Sequence, residues 1–291
     1  MSNKPSQLQK GDPTTTGHEW DGIQEFNNPL PRWWLWTFYA CIAWGIGYTI
    51  AYPAWPGISA ATPGLLGYSS RAEVAEEIAA VETRNAPVNE RLEGVELASV
   101  PDDAELHSYA VSSGAAVFRT WCAQCHGSGA GGVQASGYPN LLDDDWLWGG
   151  DIDAIHQTVT FGIRNEEYDD ARYSAMPAYG EMFTTEEISQ VVNFVQTLSG
   201  GTANDPAQVE AGSVLFADNC SACHGEAGEG DINQGAPNLA DAIWLYGGDY
   251  AALTYTVTNA RFGIMPGWQD RLSEAEIRAV ALYVHQLGGG Q

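Results

Sequence analysis

Two copies of one short pattern carry most of the chemistry that this sequence offers. Residues 122–126 read CAQCH and residues 220–224, 98 positions further on, read CSACH; a glycine follows each copy. Two thiols three positions apart can each form a thioether to one edge of a haem, and the adjoining imidazole can bind the iron. The pattern predicts two covalently bound haems c. The predicted thioether cysteines are Cys122, Cys125, Cys220 and Cys223, and the predicted proximal iron ligands are His126 and His224.

Two methionines are the predicted ligands on the other side of each iron. Met176 and Met265 each precede a proline and occupy matching places in the two copies. A thioether ligand raises the potential of a haem iron, and protein ligands on both sides close the iron to oxygen, which favours electron transfer. We assign each methionine to the haem of its own copy, although two packed copies could exchange these segments. Met182 is expected in the core. Histidines without a matching counterpart are expected to be structural: His107, His156 and His285.

Other uses of the cysteine pairs are less well supported. A single CxxC could form a redox dithiol or half of a zinc site, but here two pairs recur, each with a histidine and a later Met-Pro. A dihaem peroxidase would need one iron with an open position, which two matching methionines disfavour. Cys41, the fifth cysteine, lies in an apolar stretch and is expected to be a small buried hydrophobe, so no disulfide is predicted.

The similarity between the copies extends beyond the haem motifs and indicates a repeated domain. The recurring segments are PNL at 139–141 and 237–239, and WLWGG and WLYGG at 146–150 and 244–248. After them the offset falls from 98 to 89, because the first copy has nine more residues around positions 165–173, predicted to form an acidic surface loop. Arg164 and Arg261 precede the methionines and could bind haem propionates; ordinary surface ion pairs are an equal alternative.

Helices are predicted to begin and end each copy. The closing helices begin with capping boxes, Thr184 with Glu187 and Ser273 with Glu276, followed by apolar residues at helical spacing. Strand signals are few. The predicted fold is therefore mainly α, with one N-terminal transmembrane helix followed by two tandem domains, which resemble class I cytochrome c domains. The predicted domains are cytochrome c domain 1 at 108–202 and cytochrome c domain 2 at 203–291.

The first hundred residues divide into a tail, an apolar segment and a linker. Residues 1–31 are polar, rich in Gly and Pro, and predicted to form a mostly extended cytoplasmic tail. Residues 33–52 hold no charge, carry Trp and Tyr at both ends, and would make a helix about 30 Å long. We predict an uncleaved transmembrane anchor at 32–56. The linker at 57–107 is predicted to hold one short amphipathic helix that Pro87 ends; it docks on a partner or on the haem domains, or is a plain linker.

The charge of the sequence excludes one class of partner and predicts how the chain is oriented in the membrane. Lys and Arg number 12 against 37 Asp and Glu, a formal charge of −25. Such a chain will not bind nucleic acid through phosphate contacts, and its surface favours a partner with a positive face. Arg32 flanks the amino side of the apolar segment, whereas Arg71 is the first basic residue after it, so the amino terminus is predicted inside. Because bacteria attach haem c outside the cytoplasmic membrane, the haem domains are predicted to be periplasmic.

Two parts of the sequence resemble known protein families. Residues 108–289 resemble class I cytochromes c, in which the carbonyl of a proline after the haem motif, here Pro139 and Pro237, accepts the other N–H of the proximal histidine. The block NPLPRWWLWTFY at 28–39, with YPAWP at 52–56, is similar to the membrane anchor of the dihaem subunit III of cbb3-type cytochrome c oxidases. Together these resemblances cover nearly the whole chain.

The resemblance implies a role within a larger complex. In that family a separate catalytic subunit, with b-type haem and copper, reduces oxygen and pumps protons in aerobic respiration. This chain would relay electrons from a donor cytochrome c with a basic face, through its two haems and a monohaem c-type subunit, and would have no catalytic centre of its own. It would lie in the bacterial inner membrane. A stand-alone dihaem carrier tethered to the lipid bilayer would keep every haem feature and lose only the meaning of the N-terminal block.

Overall fold

The computed structural model describes residues 13–290. Contacts divide the chain into two compact units, Met1–Arg84 and Asn85–Gln291, and each is described by itself. In the first unit a small hairpin pairs strand β1 (Thr15–Trp20) with strand β2 (Ile23–Phe26). The tail prediction missed this pairing, and its first twelve residues lie outside the described part of the chain. The turn residues Asp21 and Gly22 both have positive φ, 50° and 84°, as a type I′ turn requires.

Helix α1 (Arg32–Ala51) follows the hairpin and none of its side chains is buried. It begins directly after Pro31, and it ends before Tyr52, which is extended because Pro53 disfavours helical backbone in the preceding residue. Cys41 is exposed on this helix, so the expectation of a buried hydrophobe is wrong. Over residues 13–290, no helix combines the length and the mean hydropathy that a membrane span needs.

Helix α2 (Ser70–Gly94) runs through Pro87, where the sequence predicted its end. The proline removes one helical hydrogen bond, but the turns after it are held by the haem-domain helices. Leu92 is fully buried, and the Arg278 guanidinium donates to the carbonyls of Leu92, at 2.8 Å, and Val95. The Tyr109 hydroxyl donates to Asn89 Oδ1 at 2.7 Å. The carboxyl end of the predicted linker therefore docks on the haem domains.

The rest of the second unit is made of short helices with long loops between them. These helices are α3 (Ala104–Val117), α4 (Ala123–His126), α5 (Ile152–Phe161), α6 (Thr185–Leu198), α7 (Val209–Asn219), α8 (Ser221–His224), α9 (Tyr250–Asn259) and α10 (Glu274–His285). Both predicted capping boxes are present, at Thr184 before α6 and at Ser273 before α10. These caps satisfy amide groups that the first helical turn leaves without partners.

Two hydrophobic cores form, and each combines helices from both sequence copies. Core A packs α3 and α5 of the first copy against α10 of the second. Core B packs α6 of the first copy against α7 and α9 of the second. The boundary expected between residues 202 and 203 falls between α6 and α7, inside core B. The closing helices α6 and α10 have similar apolar faces. The repeat pattern therefore does not reveal whether each of them packs against α3 or against α7.

A glycine makes each of these helix crossings possible. A Cβ on Gly114 would collide with the backbone carbonyl of Ala279, where α3 crosses α10, and a Cβ on Gly212 would collide with that of Gln190, where α7 crosses α6. The two glycines are 98 positions apart and so match in the repeat. The helix that precedes each motif, α3 or α7, thus packs its backbone directly against the closing helix of the other copy, α10 or α6.

Candidate haem sites

The helical turns of each motif place its first cysteine and its histidine on one face. In the first copy a π-helical turn, Phe118–Cys122, joins α3 to α4, and Gly127 ends α4 with φ 79°. In the second copy α8 follows Cys220 directly and Gly225 ends it with φ 77°. Residues four positions apart on a helix lie one above the other. A thiol and an imidazole therefore face the same cavity in each copy.

Cavity A contains part of the first motif. Cys122 and His126 line it, and so does Met265, which belongs to the second copy. Backbone hydrogen bonds between Met265 and Ile163, 2.9 and 3.0 Å long, hold the methionine segment against the first copy. Cys125 is not among the residues that line this cavity. The remainder of the wall is mostly apolar, and core A supplies part of it.

Cavity B contains the second motif. Cys220, Cys223 and His224 line it together with Met176, which belongs to the first copy. Downstream of this methionine, the Tyr179 hydroxyl donates to the carbonyl of Asn219 at 2.6 Å and fixes the segment to α7. Each cavity thus contains the methionine of the other copy, the exchange that sequence spacing left open.

Both histidines are oriented by the hydrogen bond to a proline carbonyl that the resemblance to class I cytochromes c implies. The Nδ1 atoms of His126 and His224 lie 3.1 and 3.0 Å from the carbonyl oxygens of Pro139 and Pro237, to which they can donate a proton. That bond leaves Nε2 of each ring as the free acceptor nitrogen. Burial lowers the pKa of both imidazoles, with the proline bond opposing the shift. The neutral ring is the form that binds a metal.

The first thiol of each pair lacks the properties of a redox cysteine. Burial raises the pKa of Cys122 to about 11, and burial likewise raises the pKa of Cys220 to about 11. Redox CxxC motifs lower this value, to about 3.5–7.5, because the thiolate is the reactive form. Within residues 13–290, no group of three or more His, Cys, Asp or Glu side chains could hold a metal ion.

The two cavities meet at a shared wall built by reciprocal contacts. Leu147 lines both cavities. A side chain on Gly137 would collide with the ring of Tyr246, and one on Gly235 would collide with the ring of Trp148. Both pairs are related by the offset of 98, so each copy gives an aromatic ring to a glycine of the other. The wall is therefore packed without a gap for side chains at these glycines.

The arginines near the methionines bind backbone rather than carboxylates. Arg164 donates to the carbonyls of Ser174 and Gly263 at 2.6 and 2.9 Å, and Arg261 donates to that of Ala252 at 2.8 Å. Both line cavity B. In the described part of the chain neither forms an ion pair, since the bridges found there involve other basic residues. Within the described residues, Arg164 and Arg261 therefore do not form the ordinary surface ion pairs that were the alternative.

Sequence reasoning missed Arg172, which matches Arg261 at the offset of 89. Arg172 donates to the carbonyl of Ala154, the repeat partner of the Ala252 that Arg261 contacts, at 3.3 Å. Its guanidinium lies over the Trp148 ring, as that of Arg261 lies over Tyr246. The signal was the change of offset itself. Arg172 therefore belongs to the repeated part of the domain, and the nine additional residues precede it. Their carboxylates, Glu166, Glu167, Asp169 and Asp170, are exposed, as expected for an acidic surface loop.

Polar atoms without partners show that cavity A suits a ligand with acceptor groups. Trp148 Nε1 is buried and has no hydrogen-bond partner, and the same holds for Arg172 Nε behind it. Trp148 lines the cavity, and buried donors without partners are costly. Carboxylates of a haem would suit such donors. A thiol, a neutral imidazole, a thioether and an apolar wall complete a set of residues that fits haem c.

His156 fits its expected structural role, whereas Met182 does not lie in the core. His156 Nε2 lies 3.0 Å from Glu274 Oε1 and lines neither cavity, in keeping with a structural role. Met182 is 59% exposed, so its expected packing in the core is wrong. The helical turn Tyr179–Glu181 directs Tyr179 inward instead, where its ring lies 4.8 Å from that of Phe183, centroid to centroid and tilted by 39°.

Known proteins match both parts of the chain. Residues 12–59 match the N-terminal domain of cytochrome oxidase-cbb3, FixP, and residues 110–195 and 207–284 match cytochrome c oxidase, cbb3-type, subunit III. The CcoP subunit of the cbb3-type cytochrome c oxidase of Cereibacter sphaeroides is 58% identical over the full length of both chains. The FixP subunit of Azorhizobium caulinodans is 50% identical over 97% of this chain and 95% of its own. The chain therefore belongs to the CcoP/FixP family of cbb3-type cytochrome c oxidase subunits.

Proposed function

We propose that this chain is the membrane-anchored, two-haem electron-transfer subunit of a cbb3-type cytochrome c oxidase. One observation carries the proposal: two adjoining cavities each bring a CxxCH histidine together with a Met-Pro methionine, and Leu147 lines both. Haem c, when bound, supplies one-electron redox chemistry at low reorganisation cost in an apolar site. Electron relay is also the role that the relatives' names, as oxidase subunits, support.

The residues of each site have separate roles in this relay. Cys122 and Cys125 bind one haem covalently, and Cys220 and Cys223 bind the other. His126 and His224 bind iron through Nε2, held in that orientation by the proline carbonyls. A haem c held by one histidine and one methionine would supply electron transfer rather than oxygen binding at each site. The apolar walls exclude water from both sites.

The methionine ligands are exchanged between the copies in this proposal. Met265 serves the haem of His126 and Met176 serves the haem of His224, in place of the default assignment of each methionine to its own copy. The shared cavities and the backbone bonds of Met265 to Ile163 support the exchange. The residues between the two cavities, Leu147 among them, would then separate the two haems.

Helix α1 is the proposed anchor in the bacterial inner membrane. It has 20 residues, only Arg32 is charged, and none of its side chains is buried within its unit. The match to the FixP N-terminal domain covers this helix. The haem domains then lie in the periplasm, where haem c is attached and where the acidic surface meets a basic donor cytochrome c. The catalytic and monohaem subunits of the oxidase are the proposed stable partners.

Purification of the tagged full chain from membranes tests the proposal. We expect two covalently bound haems per chain, and co-purification of a catalytic subunit that contains copper and b-type haem. Deleting residues 1–56 behind a cleavable export signal should release the haem-loaded chain into the periplasm. One haem per chain, or two haems in a chain that never purifies with an oxidase, would contradict the proposal; the second result would favour a stand-alone carrier.

A further inference from the structure

The two cavities differ in the charged side chains that line them. Among the described residues, Asp145 is the only charged side chain lining cavity A; Arg172 lies behind the Trp148 wall, with the Asp151 carboxylate close enough to stabilise its charge. Arg164 and Arg261 line cavity B, which contains no carboxylate among the described residues. Asp145 has Ile243 as its repeat partner at the offset of 98, and Ile243 lines cavity B. The difference thus arises at matching places of the repeat.

Fixed contacts keep the charges of cavity B in place. Arg164 has φ 53°, and its guanidinium donates to two carbonyls and lies 5.5 Å from the Phe262 ring centroid. The Arg261 guanidinium lies 4.7 and 5.1 Å from the ring centroids of Tyr246 and Tyr255. Carbonyls and rings hold a cation but do not neutralise it. Cavity B therefore keeps two uncompensated positive charges.

The charge of cavity A is negative at neutral pH. Asp145 is half-buried, and burial raises its pKa to about 6, with Asp241, Asp143 and Asp144 adding repulsion. At pH 7 the carboxyl is mostly ionised. No described residue forms a salt bridge with it, since the bridges found involve other carboxylates.

We infer that these charges order the two reduction potentials, so that the haem held by His224 has the higher potential and the haem held by His126 the lower. Reduction removes one positive charge from the iron. Positive side chains nearby favour the reduced form and negative ones favour the oxidised form. The inference rests on the proposed function, because it requires a haem in each cavity.

Redox titration of the haem-loaded full chain in detergent tests the order without prior assignment of the haems. Asp145→Asn should raise the lower midpoint and leave the upper one in place. Arg164→Gln should lower the upper midpoint and leave the lower one in place. Each change should alter the equilibrium constant for reduction roughly threefold to tenfold, about 28 to 59 mV for a one-electron couple.

Matched controls separate charge from structure. Asp144→Asn makes the same charge change at the exposed neighbour, and Arg271→Gln does so at an exposed arginine; both should shift the midpoints less. Arg164→Lys keeps the charge and should keep the upper midpoint, and Arg261→Gln repeats the test if Arg164→Gln fails to fold. The inference is wrong if Asp145→Asn shifts the upper midpoint, or if the variants shift the midpoints no more than their controls do. Either result leaves the proposed function intact. A chain with fewer than two haems overturns the proposed function, and the inference with it.

Discussion

Core A and core B contain equivalent helices but differ in how the chain builds them. Core B is one continuous stretch, from residue 176 to residue 257. Core A consists of two separate stretches, 88–159 and 265–287, which lie on either side of core B in the sequence. Two similar repeats have therefore produced one nested pair of cores. The difference shows that a unit of sequence repetition need not be a unit of folding.

The largest expected effect comes from removing one haem at a time. Small cores bury little apolar surface without their cofactor. Cys122→Ala with Cys125→Ala should unfold core A while core B keeps its haem. Cys220→Ala with Cys223→Ala should damage both cores, because the halves of core A would then be joined by a disordered loop of roughly 100 residues, with a closure cost of about 4 kcal/mol. Haem-resolved spectra and thermal melts by circular dichroism measure the outcome. Equal and independent losses would show that the cores are not nested.

The exchange of methionines can be read in a chain that retains one haem. In the Cys122→Ala, Cys125→Ala background only the haem held by His224 remains. Met176→Ala should then abolish its near-infrared methionine-to-iron band and lower its potential, because the thioether that favours the reduced iron is gone. Met265→Ala is the matched control and should leave that band unchanged. The opposite result would restore the default assignment of each methionine to its own copy.

A single methyl group at either helix crossing should cost about 1–3 kcal/mol. Gly114→Ala places the methyl against Ala279 in core A, and Gly212→Ala places it against Gln190 in core B. Gly94→Ala is the control, since nothing lies within 4 Å of its added Cβ. Denaturant unfolding followed at each haem should show which core each glycine supports. If Gly114→Ala destabilised only the haem held by His224, the grouping of α3 with α10 would be incorrect.

The smallest expected effect is a pH dependence confined to cavity A. Besides the three aspartates that repel it, Asp145 shares an adjoining cavity with Glu229 and Asp231. Its pKa is raised from 3.8 to about 6, so its contribution to stability is fully present below 3.8 and is lost as the pH rises through 6. Ionisation should also lower the potential of the haem held by His126, by no more than about 59 mV per pH unit.

Titrations from pH 5 to pH 7.5 check this dependence. The lower midpoint should fall as the pH rises, and the upper midpoint should stay nearly constant. Asp145→Asn should remove the dependence. A lower midpoint that keeps its slope in Asp145→Asn would assign the titration to another group.

Features carried by neighbouring residues were predictable from the sequence. The two motifs, the histidine-to-proline bonds and both capping boxes depend on residues within about fifteen positions of one another, and each is present. The membership in the oxidase family and the electron-transfer role are likewise confirmed by the relatives. The turn of the hairpin at Asp21-Gly22 is likewise a local feature, because both residues can adopt the positive φ that it requires.

Features that depend on tertiary packing were not predictable. Two closing helices with the same apolar pattern fit either α3 or α7, so sequence spacing did not determine that Met265 faces His126. The end predicted at Pro87 failed because contacts of Leu92 and Arg278 outweigh the lost hydrogen bond. Arg172 escaped notice because its role depends on a ring, that of Trp148, which lies 24 positions before it.

The nested arrangement also fixes the order in which the sites can be completed during synthesis. His126 leaves the ribosome 139 residues before Met265 does, an interval of roughly 7 to 28 s at about 5–20 residues per second. All of core B is made within that interval, whereas core A awaits α10 near the end of the chain. The first CxxCH motif to emerge is thus the last to be enclosed by its core.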